Sequence, residues 1–279
     1  EVLDALQGVS DLNVLVLGEG IVDEYVFCSG LGKASKDPIL AFLHQSAEAC
    51  VGGAYAVANH LGNFCNSVEV ATLIGETNSH EEFISRSLHP KVRWHSTLQP
   101  GAPTLTKCRF VDDHTGAKIF ELYSMDDDPL DEEIEAAVIK TVNGLIDQAD
   151  MVVVSDFGHG LMTPALVDLV SKKSKFLVVN TQANAGNQGF NTISKYPRAD
   201  YVCIAGNEME LETRTRHASR KEMLLHLTKR IDCPRFTVTL GRAGSIHYEL
   251  GEEVIEAPAL AARVVDRVGA GDAVLAITG

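Results

Sequence analysis

The chain has 279 residues, of which 45% are hydrophobic and 22% charged, a balance typical of a globular protein with a sizeable core. The formal net charge of −14 excludes a broadly basic, nucleic-acid-binding surface, although a local site can still hold a small anion. No apolar run approaches the roughly 18 residues of a membrane span, and the polar, acidic N-terminus is unlike a signal peptide.

Short apolar runs that end at Gly, Ala, Ser, Asp or Asn recur along the chain and predict strands buried on both faces of a sheet. These runs are 13–17, 68–74, 151–154, 176–179, 201–204 and 236–240. Helical patterns lie between them. The longest is 126–148, with Asp128 as predicted N-cap and Pro129 as first helical residue, and further helices are predicted to begin at Thr163-Pro164 and Asn207. This alternation predicts an α/β fold with a mostly parallel sheet covered on both sides.

Two segments, about 22–50 and 97–125, break the alternation. Residues 104–123 predict a hairpin that turns at Asp113-His114-Thr115-Gly116. Lys107 and Arg109 then point to the same side of one strand. The hairpin is interpreted as a lid over a ligand, with a surface hairpin carrying solvated charges as the alternative.

The six cysteines, at 28, 50, 65, 108, 203 and 233, form no CxxC pair and have no histidine at zinc-finger spacing. We therefore expect scattered buried thiols in a reducing cytoplasm, rather than disulfides or a zinc site.

Ligands of open parallel sheets bind beyond the carboxyl ends of the strands. The residues that follow the predicted strands are therefore the first candidates for a site. They include Gly18, Asp156, Asn180, Asn207 and Gly241.

The strongest local signal is Gly269-Ala270-Gly271-Asp272, followed by a helical pattern. A glycine turn that begins a helix directs backbone N–H groups at an anion, as phosphoryl transfer requires. Asp272 in the first turn is placed to accept a proton from a hydroxyl. A tight turn with an acidic residue is the structural alternative.

Glycines before another helix, Gly52-Gly53, allow backbone to approach a ligand closely, or serve only as a helix-starting turn. Asp23 follows the first strand, where an isolated Asp also suits a turn. Several other motifs are absent: GxxxxGK[ST], GxGxxG, GxSxG and HExxH do not occur.

In chain order, six segments resemble the ribokinase or PfkB family of carbohydrate kinases. They are VLVLGEGIVDEY, VGGAYAVANHLG, SDFGHG, NEME, VTLGRAG and DRVGAGDA. The resemblance covers almost the whole chain. It implies one kinase domain over residues 1–279, a ribokinase-like three-layer α/β/α sandwich with a small β-sheet lid.

The resemblance also implies the roles of the site residues. Asp272 is the catalytic base and the 269–271 amides form an anion hole. The implied sugar contacts are Asp23, Gly52, Gly53, Asn59 and Asp156. ATP and Mg²⁺ are implied as cofactors, the nucleotide contacts being Asn207, Glu210, Thr239, Gly241 and Gly244. Glu210 is expected to hold Mg²⁺ through water, and a K⁺ ion is expected near Asp266 and Val268.

Within the family, ASKDPILAF and TLTKCRFV resemble the kinase domain of heptose-phosphate kinases, which is often fused to a nucleotidyltransferase. That likeness implies that Lys107 and Arg109 meet the phosphate of a sugar phosphate, a role that suits Arg because its guanidinium fork binds phosphate through two hydrogen bonds. It also implies a fused nucleotidyltransferase domain. By family analogy, two lids pair into a homodimer.

Three departures from the family pattern leave alternatives open. Ala56 replaces an Asn that contacts sugar, Asn180-Thr181-Gln182 replaces a DPK-like strand end, and the sequence ends seven residues after Asp272, before the segment that cradles adenine. The alternatives are a ribose, fructose-phosphate or nucleoside kinase of the same family, and a catalytically weak sugar-binding domain.

Overall fold

The computed structural model describes residues 8–215, 217–261 and 268–279. Nine strands form one sheet, sheet A, in the order β13-β12-β11-β10-β9-β8-β1-β4-β5. Its strands are β1 (Asn13–Gly18), β4 (Ser67–Thr77), β5 (Val92–Pro103), β8 (Met151–Asp156), β9 (Leu177–Thr181), β10 (Tyr201–Ala205), β11 (Arg235–Thr239), β12 (Ser245–Glu249) and β13 (Ile255–Ala257). Across sheet A, every pair of neighbouring strands between β11 and the β5 edge is parallel. At the other edge, β12 and β13 are antiparallel to their neighbours.

All six predicted strands are confirmed. The buried runs of β1 and β8 pair with each other at the centre of sheet A, where both faces are covered. The sequence pattern did not predict β5, β12 and β13.

Helices cover sheet A on both faces. They are α1 (Ala54–Gly62), α2 (Glu81–Ser87), α3 (Glu132–Ile146), α4 (Pro164–Lys173), α5 (Gly206–Thr213), α6 (Arg220–Leu227) and α7 (Ala270–Thr278). One core cluster joins α3, α4, α5 and α6 to the sheet, and a second joins α1, α2 and α7 to its other face. The predicted three-layer α/β/α architecture is therefore confirmed.

Of the three predicted helix starts, one is confirmed, one is shifted by a single residue and one is wrong. Thr163 caps α4 by accepting the N–H of Leu166, at 3.3 Å, as expected, and α5 begins one residue before Asn207. The prediction that Asp128 and Pro129 begin α3 is wrong, because Asp131 is the N-cap. Asp126 accepts the Asp128 N–H at 3.1 Å, so this stretch forms a local turn instead.

A second sheet, sheet B, has the order β3-β2-β6-β7. Its strands are β2 (Gly20–Lys33), β3 (Leu40–Gly53), β6 (Thr106–Asp112) and β7 (Lys118–Ser124). The predicted hairpin is confirmed as β6 and β7. The predicted lid segment 97–125 is too long, because residues 97–103 extend β5 of sheet A.

Sheet B continues directly from the centre of sheet A, since only Glu19 separates β1 from β2. β2 pairs antiparallel with β3 and parallel with β6, which sets Asp23 opposite Lys107 in the strand register. One face of sheet B therefore lies over the carboxyl ends of β1 and β8. Among the helices of the described ranges, none is long and apolar enough to cross a bilayer.

Candidate active site

The Gly269–Asp272 segment forms the turn and helix start that its sequence predicts. Gly269 is the N-cap of α7 with a φ of 76°, a conformation that favours glycine. Open space surrounds the backbone of Gly271, while the Asp272 side chain is buried. Backbone N–H groups at a helix start, next to a buried carboxyl, form a candidate phosphoryl-transfer site.

Asp272 lies in an environment that makes it a stronger base than an exposed aspartate. Burial raises the pKa of Asp272 to about 7, and the charge of Asp23 acts in the same direction. The ammonium of Lys107 opposes this rise. Asp23, Lys107 and Asp272 are far apart in the sequence, yet they lie close enough in the fold for their charges to interact.

Asp23 is buried on the inner face of sheet B. Its Oδ1 accepts a hydrogen bond from Arg109. Its Oδ2 lies directly above Gly52, where an added Cβ would stand 2.0 Å from that oxygen. Only glycine fits there, so the structure brings Asp23 and Gly52 together as the sequence predicts.

Lys107 and Arg109 also point inward from β6 and are almost fully buried. The alternative of a solvated pair is therefore wrong. Arg109 is bound by Asp23 and, through Nε, by Glu121 at 2.5 Å. Lys107 instead lies over the rings of Tyr123 and Phe157, at 4.8 and 5.2 Å from their centroids.

The two cations therefore differ in how far they are neutralised. Two carboxylates compensate Arg109, whereas in the described part of the chain no carboxylate forms an ion pair with Lys107. Burial lowers the pKa of Lys107, and Asp23 partly opposes that fall. Of the two, Lys107 therefore carries the less compensated charge, and Arg109 holds Asp23 in place.

Glu19 is a site residue that the sequence analysis missed. It is buried, and its carboxylate accepts the N–H groups of Phe157 and His159 at 2.8 and 3.0 Å. Burial and, to a smaller extent, the charge of Asp156 together raise the pKa of Glu19 to about 7. The sequence could have indicated Glu19, because its carboxylate directly follows a predicted buried strand.

The backbone of Glu19 also sets the start of α1. Its carbonyl accepts the N–H of Ala54 at 2.9 Å, and an added Cβ on Gly53 would lie 2.3 Å from it. Gly53 has a φ of 58°. The second glycine of the pair therefore allows α1 to begin against the end of β1.

Asp156 is fully buried beneath this region and is engaged by internal donors. Tyr196 and Lys195 both contact its Oδ2 at 2.6 Å, and Gly158 and Asn191 donate to its Oδ1 at 3.0 Å. It shapes the 157–159 loop. Because these four donors all belong to the protein itself, the geometry indicates that Asp156 positions the loop and does not contact sugar directly.

Asn59 is also committed elsewhere. Its Nδ2 donates to the carbonyl of Ser87 at 3.0 Å, and its Oδ1 accepts the N–H of His89 at 2.7 Å. Both halves of the amide therefore tie α1 to the segment before β5. The expectation that Asn59 contacts sugar is not supported by these contacts.

The predicted nucleotide residues cluster at the ends of β10 and β11. Asn207 and Glu210 are exposed on one side of α5 and line an open groove of about 740 Å³. Thr239 ends β11 opposite Ala205, and Gly241 and Gly244 bound the next turn. Asp266 lies outside the described residues; Val268 lies at the start of the turn before α7.

The donor groups of the site limit how it can hold a metal ion. Within the described ranges no cluster of three or more His, Cys, Asp or Glu side chains forms a metal site. Asn207 and Glu210 supply oxygens of the kind that Mg²⁺ accepts while it keeps several waters. These residues fit a metal that is held mainly by a nucleotide.

The fold and this site define a carbohydrate kinase. The chain belongs to the pfkB family of carbohydrate kinases, whose model matches residues 13–277. It is 26% identical over 98% of its length to the bifunctional protein HldE of Bradyrhizobium diazoefficiens, and 25% identical over 97% to that of Desulfatibacillum aliphaticivorans. The chain spans 56% and 55% of those proteins, about half of their length.

Solved structures confirm the ribokinase-like fold. Phosphofructokinase-2 from Escherichia coli superposes with a TM-score of 0.73 at 14% identity, covering 95% of this chain and 85% of that one. Ribokinase from Arabidopsis thaliana, complexed with ribose and ATP, gives 0.67 at 16% identity, with 95% and 84% covered.

Proposed function

We propose that this chain transfers the γ-phosphoryl group of ATP to a hydroxyl of a sugar phosphate, with Asp272 as general base. One observation carries the proposal: the buried carboxyl of Asp272 stands at the start of α7, within electrostatic reach of Asp23 and Lys107.

In the proposed reaction, the acceptor oxygen attacks the γ-phosphorus and the bond to the bridging oxygen of ADP breaks. The hydroxyl proton passes to Asp272, whose pKa of about 7 suits proton transfer near neutral pH. The N–H groups after Gly269 stabilise the charge that develops on the phosphoryl oxygens.

Asp23 and the backbone at Gly52-Gly53 hold the sugar. Asp23 Oδ2 remains beside Gly52 while Oδ1 is held by Arg109, so one oxygen is fixed and the other is available to a hydroxyl. Sheet B then acts as a lid that excludes water from the reacting groups.

Lys107 is proposed to bind the phosphate that the acceptor already carries. Its buried ammonium packs on two aromatic rings and forms no ion pair within the described residues. A phosphate would supply that charge. This feature, the TLTKCRFV segment and the HldE relatives favour a heptose 7-phosphate over a nucleoside.

ATP is proposed to occupy the region of Asn207, Thr239 and Gly241. Mg²⁺ would be held there by its phosphates and, through water, by Glu210; it supplies charge neutralisation of the phosphates. A K⁺ site at Asp266 and Val268 is proposed from the family pattern, and a titration with potassium chloride against sodium chloride tests it.

The outer face of sheet B is proposed to pair with a second copy of this chain. Phe110 and Phe120 stack across β6 and β7 with centroids 4.3 Å apart, and Phe120 and Leu122 are 51% and 56% exposed. This apolar face lies opposite Lys107 and Arg109. Within the described residues none of the six cysteines forms a disulfide, which suits a reducing compartment such as the cytoplasm, although Cys50 is exposed and so not every thiol is buried as expected.

The full-length protein is proposed to carry a nucleotidyltransferase, since its HldE relatives are named bifunctional. The reading frame around this chain tests that proposal.

Activity is tested with ATP and three acceptors: a heptose 7-phosphate, fructose 6-phosphate and ribose. ADP release and the phosphorus NMR spectrum of the product measure transfer. Preference for the heptose phosphate supports the proposal, and preference for another acceptor favours a different kinase of the family. Calorimetric sugar binding without ADP release would identify a sugar-binding domain instead.

A further inference from the structure

His159 follows the end of β8 and has an unusual environment. Both of its ring nitrogens are buried, and neither has a hydrogen-bond partner among the described groups. Buried polar atoms without partners are uncommon in folded proteins, because each loses its interactions with water. The proposed phosphoryl transfer makes no use of this imidazole.

The surrounding residues restrict the position of the imidazole ring. The backbone N–H of His159 donates to Glu19 at 3.0 Å, and the ring of Tyr123 in β7 stands edge-on at 6.3 Å. A Cβ added to Gly186 would lie 2.8 Å from ring atom Cε1. The ring is therefore held between Glu19 and Gly186 on one side and Tyr123 of sheet B on the other.

His159 lines a small cavity at the ends of β1, β4 and β5. The space open to the centres of water-sized spheres is about 40 Å³, more than one hydroxyl needs. Glu19, Gln99 and Asp126 share the lining. Gln99 donates to Asp126 at 3.0 Å, so this wall is itself ordered.

The charges around the cavity favour neutral hydroxyls over phosphate. Its described lining contains two carboxyl groups and no Lys or Arg. Burial and, to a smaller extent, the nearby ammonium of Lys107 together lower the pKa of His159 to about 4. At neutral pH the ring therefore offers one N–H donor and one acceptor nitrogen.

We propose that His159 is a specificity-determining residue that hydrogen-bonds a hydroxyl of the sugar acceptor inside this cavity. The inference rests on the proposed sugar kinase function and narrows its substrate. The acceptor has a neutral, hydroxyl-bearing part that extends past Lys107 into the cavity, while any phosphate stays at Lys107.

Kinetics of three variants test the role of His159. His159→Ala should raise the KM for the heptose 7-phosphate about tenfold, the effect of one lost hydrogen bond in a buried site, with kcat and the KM for ATP nearly unchanged. His159→Gln, which keeps a donor and an acceptor, should recover most of this loss. His114→Ala is the matched control, because His114 is exposed on the β6–β7 turn.

Acceptors that each lack one hydroxyl then identify the contact. Removing the contacted hydroxyl should weaken binding to the unaltered protein and have no added effect in His159→Ala, as a double-mutant cycle requires. An unchanged KM and an unchanged acceptor preference in an active His159→Ala variant would overturn the inference and leave the kinase function standing.

A binding experiment separates the two proposals if no acceptor is phosphorylated. The ring ¹⁵N signals of His159 are followed in labelled protein as heptose 7-phosphate is added. A shift that ATP alone does not produce supports the contact even in a protein without turnover. Sugar binding at other residues with no change in these signals refutes it.

Discussion

Lys107 and Arg109 lie two residues apart on the same face of β6, yet their charges are used differently. Arg109 is bound by Asp23 and Glu121, whereas Lys107 packs on Tyr123 and Phe157. This difference predicts that Lys107 binds substrate while Arg109 forms a structural ion pair, and the two roles can be measured.

We expect Lys107→Met to raise the KM for a phosphorylated acceptor about tenfold or more, since a charge-assisted hydrogen bond is lost. The KM for an unphosphorylated sugar should change little, and the melting temperature should stay close to that of the unaltered protein. Steady-state kinetics with fructose 6-phosphate and ribose measure the difference. An equal effect on both sugars would show that Lys107 binds no acceptor phosphate.

Arg109→Met should mainly destabilise the protein. It leaves the buried Asp23 without its cation, a change that costs about 3 kcal/mol or more in comparable buried pairs. Urea unfolding measures the loss. Lys172→Met is the control, because Lys172 forms an exposed pair with Asp168 within α4.

Asp272→Asn should lower kcat by about a hundredfold or more, the usual contribution of a general base. The substitution removes a carboxyl whose ionised form is penalised by burial, so thermal stability near pH 8 should not fall. ADP release and the melting temperature are measured on one sample. A variant with normal kcat would remove Asp272 from the mechanism.

The pH dependence follows from the same carboxyl. Only ionised Asp272 accepts a proton, and burial raises its pKa to about 7, so kcat/KM should be full above that pH and fall as the pH decreases through it. Lys107 holds this pKa down; therefore Lys107→Met should move the acidic limb to higher pH. A fall in kcat/KM that occurs only near the ordinary pKa of aspartate would contradict the assignment of Asp272 as the base.

Gly52→Ala should impair acceptor binding, because the new Cβ would stand 2.0 Å from Asp23 Oδ2 and displace it. We expect the KM for the acceptor to rise while the KM for ATP stays nearly constant. Gly144→Ala in α3 is the control, since no heavy atom lies within 4 Å of its added Cβ.

Phe120→Glu should convert a lid-paired dimer to a monomer by placing a charge on the apolar outer face of sheet B. Analytical ultracentrifugation measures the mass. Phe190→Glu, at a site that is 88% exposed outside sheet B, should leave the mass unchanged. A monomer before any substitution would refute pairing through this face.

Local patterns were sufficient to predict six of the nine described strands of sheet A, the β6–β7 turn and the glycine start of α7. Each depends on residues close together in sequence, such as the buried run of β8 or the Gly269–Gly271 turn. The shared inward direction of Lys107 and Arg109 followed from the two-residue period of a strand.

The rest of the site depends on register and distant contacts. The neutralisation of Arg109 requires β2 to pair beside β6, which brings in a carboxylate 86 residues away. Asn59 matched a family motif but is held by Ser87 and His89, which no local pattern predicts. The start of α3 was misplaced because Asp126 closes a turn that competes with helix.

Asp23 and Asp272 are carried by different parts of the fold, the first by sheet B and the second by a helix packed on sheet A. Glu19 alone joins β1 to β2 along the chain between those parts. Any rotation of sheet B about this junction changes the distance between the two carboxyls. In the proposed mechanism, the same single-residue connection would couple the alignment of a bound hydroxyl on Asp272 to the basicity of that carboxyl, because the charge of Asp23 contributes to it.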